Sequence, residues 1–191
     1  MEHDHGHPDM QRRGVRRFAY TNVDRDGTLI FERGYLVEAS QLVPLPGVEV
    51  ALRKVKAHGI PIVMVTNQSA IGRGLVDERG LARIHHRVQF LLGIDAVYVC
   101  PHLPDAGCAC RKPGPALVRQ PVCENGLDPR RTVMIGDHLG DCIAARDAGI
   151  EGILVRSGHG SAQSEKARRE GFRVVADLPE AVDIFLARVR Q

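Results

Sequence analysis

Apolar residues recur along this chain in two alternating rhythms. Short dense runs at Phe18–Asp24, Ile60–Thr66, Ala96–Val99, Thr132–Gly136, Gly152–Val155 and Arg173–Val175 read as strands. Ile60–Thr66 (IPIVMVT) is almost wholly apolar, the pattern of a strand buried on both faces of a parallel sheet. Between these runs the spacing lengthens to that of helices. Val48, Leu52 and Val55 stand at i, i+4 and i+7 within Gly47–Ala57, and Gly59 lies just past the end. Asp77 is placed to cap a helix running to about Leu92. Further helices are predicted within Pro113–Asn125, over Leu139–Ala148 with Gly149 as the stop, over Ala162–Glu170, and from Pro179 onward.

Strands alternating with helices imply right-handed crossovers and an open parallel α/β sheet of Rossmann-like type. Ligands bind such sheets beyond the carboxyl ends of the strands, so residues just after each run are the candidates for chemistry. Residues 31–46, with Gly34, Pro44 and Pro46, form the longest irregular stretch and are expected to lie over a site.

Composition narrows the picture further. A length of 191 residues with 43% apolar content suits one full-sized domain, assigned to 15–191. Residues 1–14, with His3, His5 and His7 alternating, are expected to form a disordered tail. The formal charge is +3 with Lys and Arg spread along the chain, which argues against nucleic acid and suits a small anionic substrate. No run approaches the ~20 apolar residues of a membrane span, and no apolar signal core opens the chain, so a cytoplasmic protein is expected. Three of the five Cys crowd into residues 100–110, a pattern of metal ligation in a reducing compartment rather than of disulfides.

The chemistry concentrates in four patches. Asp24-Arg25-Asp26-Gly27-Thr28 sets two carboxylates at the mouth of the first strand, and Gly27 turns the chain so that both can face a crevice. Asp24 can attack phosphorus to give an aspartyl-phosphate, while Asp26 protonates the leaving alkoxide and later accepts a proton from water. Asp137, after the VMIG run, is the natural second ligand beside Asp24 for Mg²⁺, and Asp141 one helical turn on can support it. Thr66 and the Asn67 backbone can bind phosphoryl oxygens. Lys112 can neutralise the transferring group, and Arg111 can fork onto a second anion or the phosphate rim. Each patch alone has an ordinary reading as a turn, a cap or a surface pair; four of them at strand ends do not.

Cys100-Pro-His102 followed by Cys108-Ala-Cys110 supplies four ligands that can close a tetrahedral zinc site. With no open position that zinc would be structural, pinning the loop that carries Arg111 and Lys112. Cys123 and Cys142 fall on helical patterns and are expected to be buried thiols.

Over roughly residues 18–156 these motifs, in this order, resemble the haloacid dehalogenase superfamily of phosphatases. The resemblance implies an HAD-like domain with no large cap domain and a zinc-bound loop. It gives Asp24 as nucleophile, Asp26 as acid/base and as a backbone-carbonyl ligand to Mg²⁺, Thr66 and Lys112 on the phosphate, and Asp137 on the metal. Within the superfamily the chain resembles the branch of heptose bisphosphate and histidinol-phosphate phosphatases. Thr66–Gly74 (TNQSAIGRG), with Arg73 toward a second sugar phosphate, leans to the C7 phosphate of a heptose bisphosphate. The short ligand spacing of Cys100–Pro113 leans to histidinol phosphate. A small phosphorylated sugar is the expected partner, and a monomer or weak dimer the expected state. Thr21 and Asn22 depart from the family, standing where it usually has apolar strand residues.

Overall fold

The computed structural model describes residues 19–189, so the 1–14 tail with its histidines, and Phe18, lie outside the described residues. Six strands form one sheet: β1 (Tyr20–Val23), β2 (Ile62–Asn67), β3 (Ala96–Cys100), β4 (Thr132–Gly136), β5 (Glu151–Val155) and β6 (Arg173–Val175). Their order is β3-β2-β1-β4-β5-β6, and every pairing is parallel. The helices α1 (Val48–Ala57), α2 (Glu78–Leu92), α3 (Ala116–Glu124), α4 (Leu139–Asp147), α5 (Gly160–Arg169) and α6 (Leu178–Val189) follow the strands in turn.

Both faces of the sheet are covered, which is why its central strands are apolar throughout. Along β2, Ile62 and Met64 face the layer that holds Val55, Ile84 and Phe185 of α1, α2 and α6. The alternate residues Val63 and Val65 face Leu117, Val118 and Ala144 of α3 and α4. All four are fully buried, and each such side chain contributes about 1.5–3 kcal/mol relative to exposure. Thr21 and Asn22 are equally buried within β1. Cys142 is buried as expected, but Cys123 is exposed: it sits in the last turn of α3, beyond the apolar stripe of Leu117, Val118 and Val122.

The chain order reverses at β1, which lies between β2 and β4. Val23 is level with both Met64 and Ile135, so the residues that follow these three strands emerge at one edge. This is the switch point where open α/β sheets hold their ligands. Asp77 caps α2 by accepting from the Gly80 N–H at 2.6 Å. Among the described residues no helix is long and apolar enough to cross a membrane.

Candidate active site

Four charged side chains from three segments meet at that edge: Asp24, Lys112, and Asp137 with Asp141. The Lys112 ammonium is buried and donates to Asp24 Oδ1 at 2.8 Å and to the Val65 carbonyl at 2.7 Å. It also pairs with Asp141 Oδ1 at 2.7 Å. Burial opposes its charge, but Asp141 and Asp24 outweigh that and raise its pKa. Asn67 clips the Lys112 backbone in place, donating from Nδ2 to its carbonyl and accepting its N–H, both at 3.1 Å. The Asn67 side chain therefore steadies the cationic loop. Asp141 completes a capping box at the start of α4, its Oδ2 accepting from the His138 N–H at 3.0 Å while its Oδ1 faces Lys112, so the two carboxylate oxygens serve different purposes.

Asp137 lies in a cradle of glycine. A Cβ at Gly27 or Gly158 would stand 2.2 or 2.1 Å from Asp137 Oδ2, so only a bare backbone admits this carboxylate. Its Oδ2 accepts from the His159 N–H at 2.8 Å. Burial, and next the Asp24 charge, push its pKa up to about 8. Burial raises Asp141 as well. Carboxylate oxygens of Asp24, Asp137 and Asp141 all lie within 4.8 Å of one another. Three carboxylates share a buried space with one ammonium, a charge imbalance that a hard divalent cation such as Mg²⁺ would correct.

Asp26 is held from two sides. Arg25 Nη2 donates to its Oδ2 at 2.8 Å, and Gln68 Nε2 donates to the same oxygen at 2.8 Å. Gln68 Nε2 also reaches Thr66 Oγ1 at 2.9 Å, which links the buried Thr66 hydroxyl to the acid/base candidate. A cleft of about 270 Å³ opens over these groups, lined by Asp24, Asp26, Asn67, Arg111, Lys112 and Asp137 together with Glu32, Tyr35, His138 and His159. Burial, and next the Asp26 charge, raise the Glu32 pKa. Two residues predicted for this cleft do not line it: Thr66 is buried beneath Gln68, and Arg73 is exposed, its guanidinium 5.6 Å from the centroid of the Tyr35 ring.

The Cys/His cluster forms beside the Arg111-Lys112 segment. Sγ of Cys100 lies 3.6 Å from Cys108 and 3.3 Å from Cys110, and His102 Nδ1 lies 3.3 Å from Cys110 Sγ. A tetrahedron with Zn–S bonds of about 2.3 Å has edges of about 3.8 Å, so these groups stand near the spacing zinc requires. Burial pushes the Cys100 thiol up to about 12, a cost that a bound cation would reverse. Arg111, one residue on from Cys110, donates to the His102 carbonyl at 3.2 Å.

Comparison with known proteins agrees with this geometry. Residues 109–181 match the HAD-hydrolase-like family model. The chain is 36% identical to a D-glycero-β-D-manno-heptose-1,7-bisphosphate 7-phosphatase of Photorhabdus laumondii, over 84% of this chain and 93% of the relative. The chain belongs to the haloacid dehalogenase superfamily of phosphatases. A crystal structure of the D,D-heptose 1,7-bisphosphate phosphatase of Bordetella bronchiseptica, complexed with magnesium and phosphate, superposes with a TM-score of 0.84. That comparison has 32% identity and covers 90% of this chain and 99% of the other. The corresponding Bordetella sequence is 35% identical over 86% of this chain and 96% of its own length. As a member of the haloacid dehalogenase superfamily, the protein is a Mg²⁺-dependent phosphoric monoester hydrolase.

Sequence reasoning missed five residues of this phosphatase cleft or its immediate support. Arg25, Gln68 and His138 lie inside the same motifs as the predicted residues, but their side chains act by supporting neighbouring groups, and no residue spacing signals that kind of contact. Glu32 and His159 come from the loops after β1 and β5, and no spacing announces that those loops meet.

Proposed function

We propose that this enzyme removes the C7 phosphate of D-glycero-β-D-manno-heptose 1,7-bisphosphate, in the cytoplasm, through a phosphorylated Asp24. The observation that carries the mechanism is the meeting of Asp24, Asp137 and Asp141 around the buried Lys112 ammonium. The substrate follows from curated relatives of that name that match almost end to end. They do not favour the histidinol-phosphate alternative.

Asp24, Asp137 and the Asp26 backbone carbonyl would hold the magnesium, with Asp141 beside them. When bound, magnesium offsets the repulsion between an anionic nucleophile and an anionic phosphate. A carboxylate oxygen of Asp24 forms the new bond to phosphorus as the bond to the C7 oxygen breaks. Asp26 in its acid form gives that oxygen a proton, and the heptose 1-phosphate departs as an alcohol. Asp26, now a carboxylate, takes a proton from water as the water attacks phosphorus, which frees Asp24 and inorganic phosphate. Lys112 holds Asp24 in line and balances charge on the transferring group. The Thr66 hydroxyl and Asn67 N–H would bind phosphoryl oxygens. Arg111 lines the cleft and is assigned to the C1 phosphate, while Arg73 braces Tyr35 at the rim. Cys100, His102, Cys108 and Cys110 would hold one structural zinc.

Phosphate release from the heptose 1,7-bisphosphate and from histidinol phosphate, compared at equal enzyme concentration, tests the substrate. A preference of at least about a hundredfold in kcat/KM for the sugar is expected, equivalent to about 2.7 kcal/mol in the transition state. A preference for histidinol phosphate would overturn the assignment.

A further inference from the structure

Arg25 is the largest fully buried side chain of the described residues, only 1% exposed, and no step above uses it. A guanidinium is expensive to bury unless its donors are met. Residue 25 follows β1 in the same alternation as Thr21 and Val23, away from Asp24 and toward the layer where Ile84 of α2 packs. From there the fork turns back to its neighbour. Nε lies 3.1 Å from each oxygen of Asp26, and Nη2 lies 2.8 Å from Oδ2. The remaining arm is fixed from α2, with Nη1 3.4 Å from His85 Nε2. A guanidinium only donates, so His85 Nε2 is the acceptor in that contact and the ring proton resides on Nδ1. Burial, and next the Arg25 charge, hold the His85 pKa down to about 3, which keeps the ring neutral and able to accept. The Arg25 carbonyl also accepts the N–H groups of Leu29 and Ile30, closing the turn that presents Asp26.

We propose that Arg25 is a positioning residue for the acid/base, its fork anchored by His85 from beneath the site so that the Asp26 carboxyl is aimed at the leaving oxygen. This rests on the reading of Asp26 as the proton donor. A bidentate contact fixes both the position and the plane of a carboxyl group, which a single hydrogen bond from Gln68 cannot do. Proton transfer needs that aim within a few tenths of an ångström.

The test uses the chemistry of the leaving group. An alkyl phosphate needs a proton on its departing oxygen, whereas p-nitrophenyl phosphate releases a stable phenolate without one. Because kcat/KM covers only the steps through alcohol departure, it isolates the donor's contribution. Wild type, Asp26→Ala, Arg25→Met and the double variant are compared on heptose 1,7-bisphosphate and on p-nitrophenyl phosphate, with Tm and zinc content followed for each. Arg25→Met is expected to lose about a hundredfold on the sugar and less than about fivefold on the aryl ester, within the range of acid/base contributions. In the Asp26→Ala background it should cost almost nothing more. His85→Leu should give a weaker version of the same split, about tenfold, and His85→Gln, whose amide oxygen can accept from Nη1, should restore it; this pair decides the matter if Arg25→Met does not fold. Equal losses on both substrates, or losses that multiply with Asp26→Ala, would overturn the proposal and leave Arg25 a structural residue. If Asp26→Ala itself shows no split between substrates, Asp26 is not the donor and both readings fall. A split for Asp26→Ala without one for Arg25→Met removes only the positioning role.

Discussion

Two clusters of metal-competent side chains flank the segment Arg111-Lys112, and they are built in opposite ways. The Cys/His cluster draws all four groups from residues 100–110, and its donors close on one another without leaving a position for substrate. The acidic cluster draws its carboxylates from the end of β1, the end of β4 and the first turn of α4, with hard oxygen donors beside an open cleft. A closed, soft site suits an ion that stays; an open, hard site suits one that must also meet a phosphate. The two are mechanically joined, because Cys110 stands two residues before the lysine whose ammonium enters the acidic cluster. On the proposed reading, one cluster would set the position of a loop and the other would perform chemistry at its tip.

Removing one group from the acidic cluster gives the largest expected effects. Asp24→Asn should fold, with a Tm near that of wild type, and lose activity by about 10⁴-fold or more, the scale seen when a covalent nucleophile is removed. Steady-state phosphate release measures this, and substantial residual turnover would take the nucleophile's role from Asp24. Lys112→Met should damage both halves of the comparison. It leaves Asp24 and Asp141 buried without their shared cation, a change that costs about 3–5 kcal/mol in other proteins. Urea titration should show most of that loss in magnesium-free buffer and less of it with magnesium present, since the ion also balances the carboxylates. A destabilisation indifferent to magnesium would mean that the ammonium and the metal do not share the same charges.

The clusters also differ in how far the sequence discloses them. Spacing alone exposes the Cys/His cluster, because its ligands are neighbours in the chain and need only a loop to meet. The acidic cluster is legible only through the fold: Asp24 and Asp137 become partners once the apolar runs before them are recognised as adjacent parallel strands. The sequence places both at strand ends, because VMIG is a wholly apolar run, but it does not disclose that β1, with its polar Thr21 and Asn22, lies beside β4. Arg73 shows the converse. Its place in TNQSAIGRG suggested a phosphate ligand, but the residues between Ser69 and Gly74 form tight turns that carry it outward onto Tyr35. The orientation of a turn depends on contacts that no periodicity records. Arg25 and His85 were invisible for another reason: their pairing joins a strand end to the middle of a helix 60 positions away, through a cation that composition rules place on the surface.

Disturbing the Cys/His cluster should act on stability before it acts on catalysis. Cys108→Ser should abolish the retention of one zinc per chain, measured by metal analysis after dialysis, and lower Tm by about 5–10 °C, as a loss of 2–3 kcal/mol would do for a chain of this size. Near room temperature the remaining activity should show both a raised KM and a lowered kcat, since displacing Arg111 weakens the hold on substrate and displacing Lys112 weakens the hold on the transferring group. Magnesium removal should do the reverse, ending turnover at once while leaving zinc content and the bulk of Tm untouched. A Cys108→Ser protein with unchanged Tm would sever the mechanical link between the two clusters.

The finest distinction is in the response to pH. In the magnesium-free protein Asp137 keeps its proton up to about pH 8, chiefly through burial and then the Asp24 charge, whereas in the unfolded chain it titrates near its ordinary value of 3.8. Between those values the native state binds more protons than the unfolded state, so stability falls as pH rises from about 4 to about 8. The slope is at most about 1.4 kcal/mol per pH unit from this one group. Saturating magnesium would hold the carboxylate ionised in the native state and should flatten or reverse that slope. Thiolate ligation runs the other way, because zinc must displace protons from its cysteines and loses affinity as pH falls. Urea midpoints at pH 5 and pH 8, with and without magnesium, separate the two. A magnesium-sensitive loss of stability toward pH 8 belongs to the acidic cluster; a magnesium-insensitive loss toward pH 5 combines the Cys/His cluster with His85, whose burial as a neutral ring costs more as pH falls below 6.5, and the part that disappears in Cys108→Ser belongs to the Cys/His cluster. If the alkaline loss were the same with and without magnesium, the three carboxylates would not be acting as one metal-binding unit.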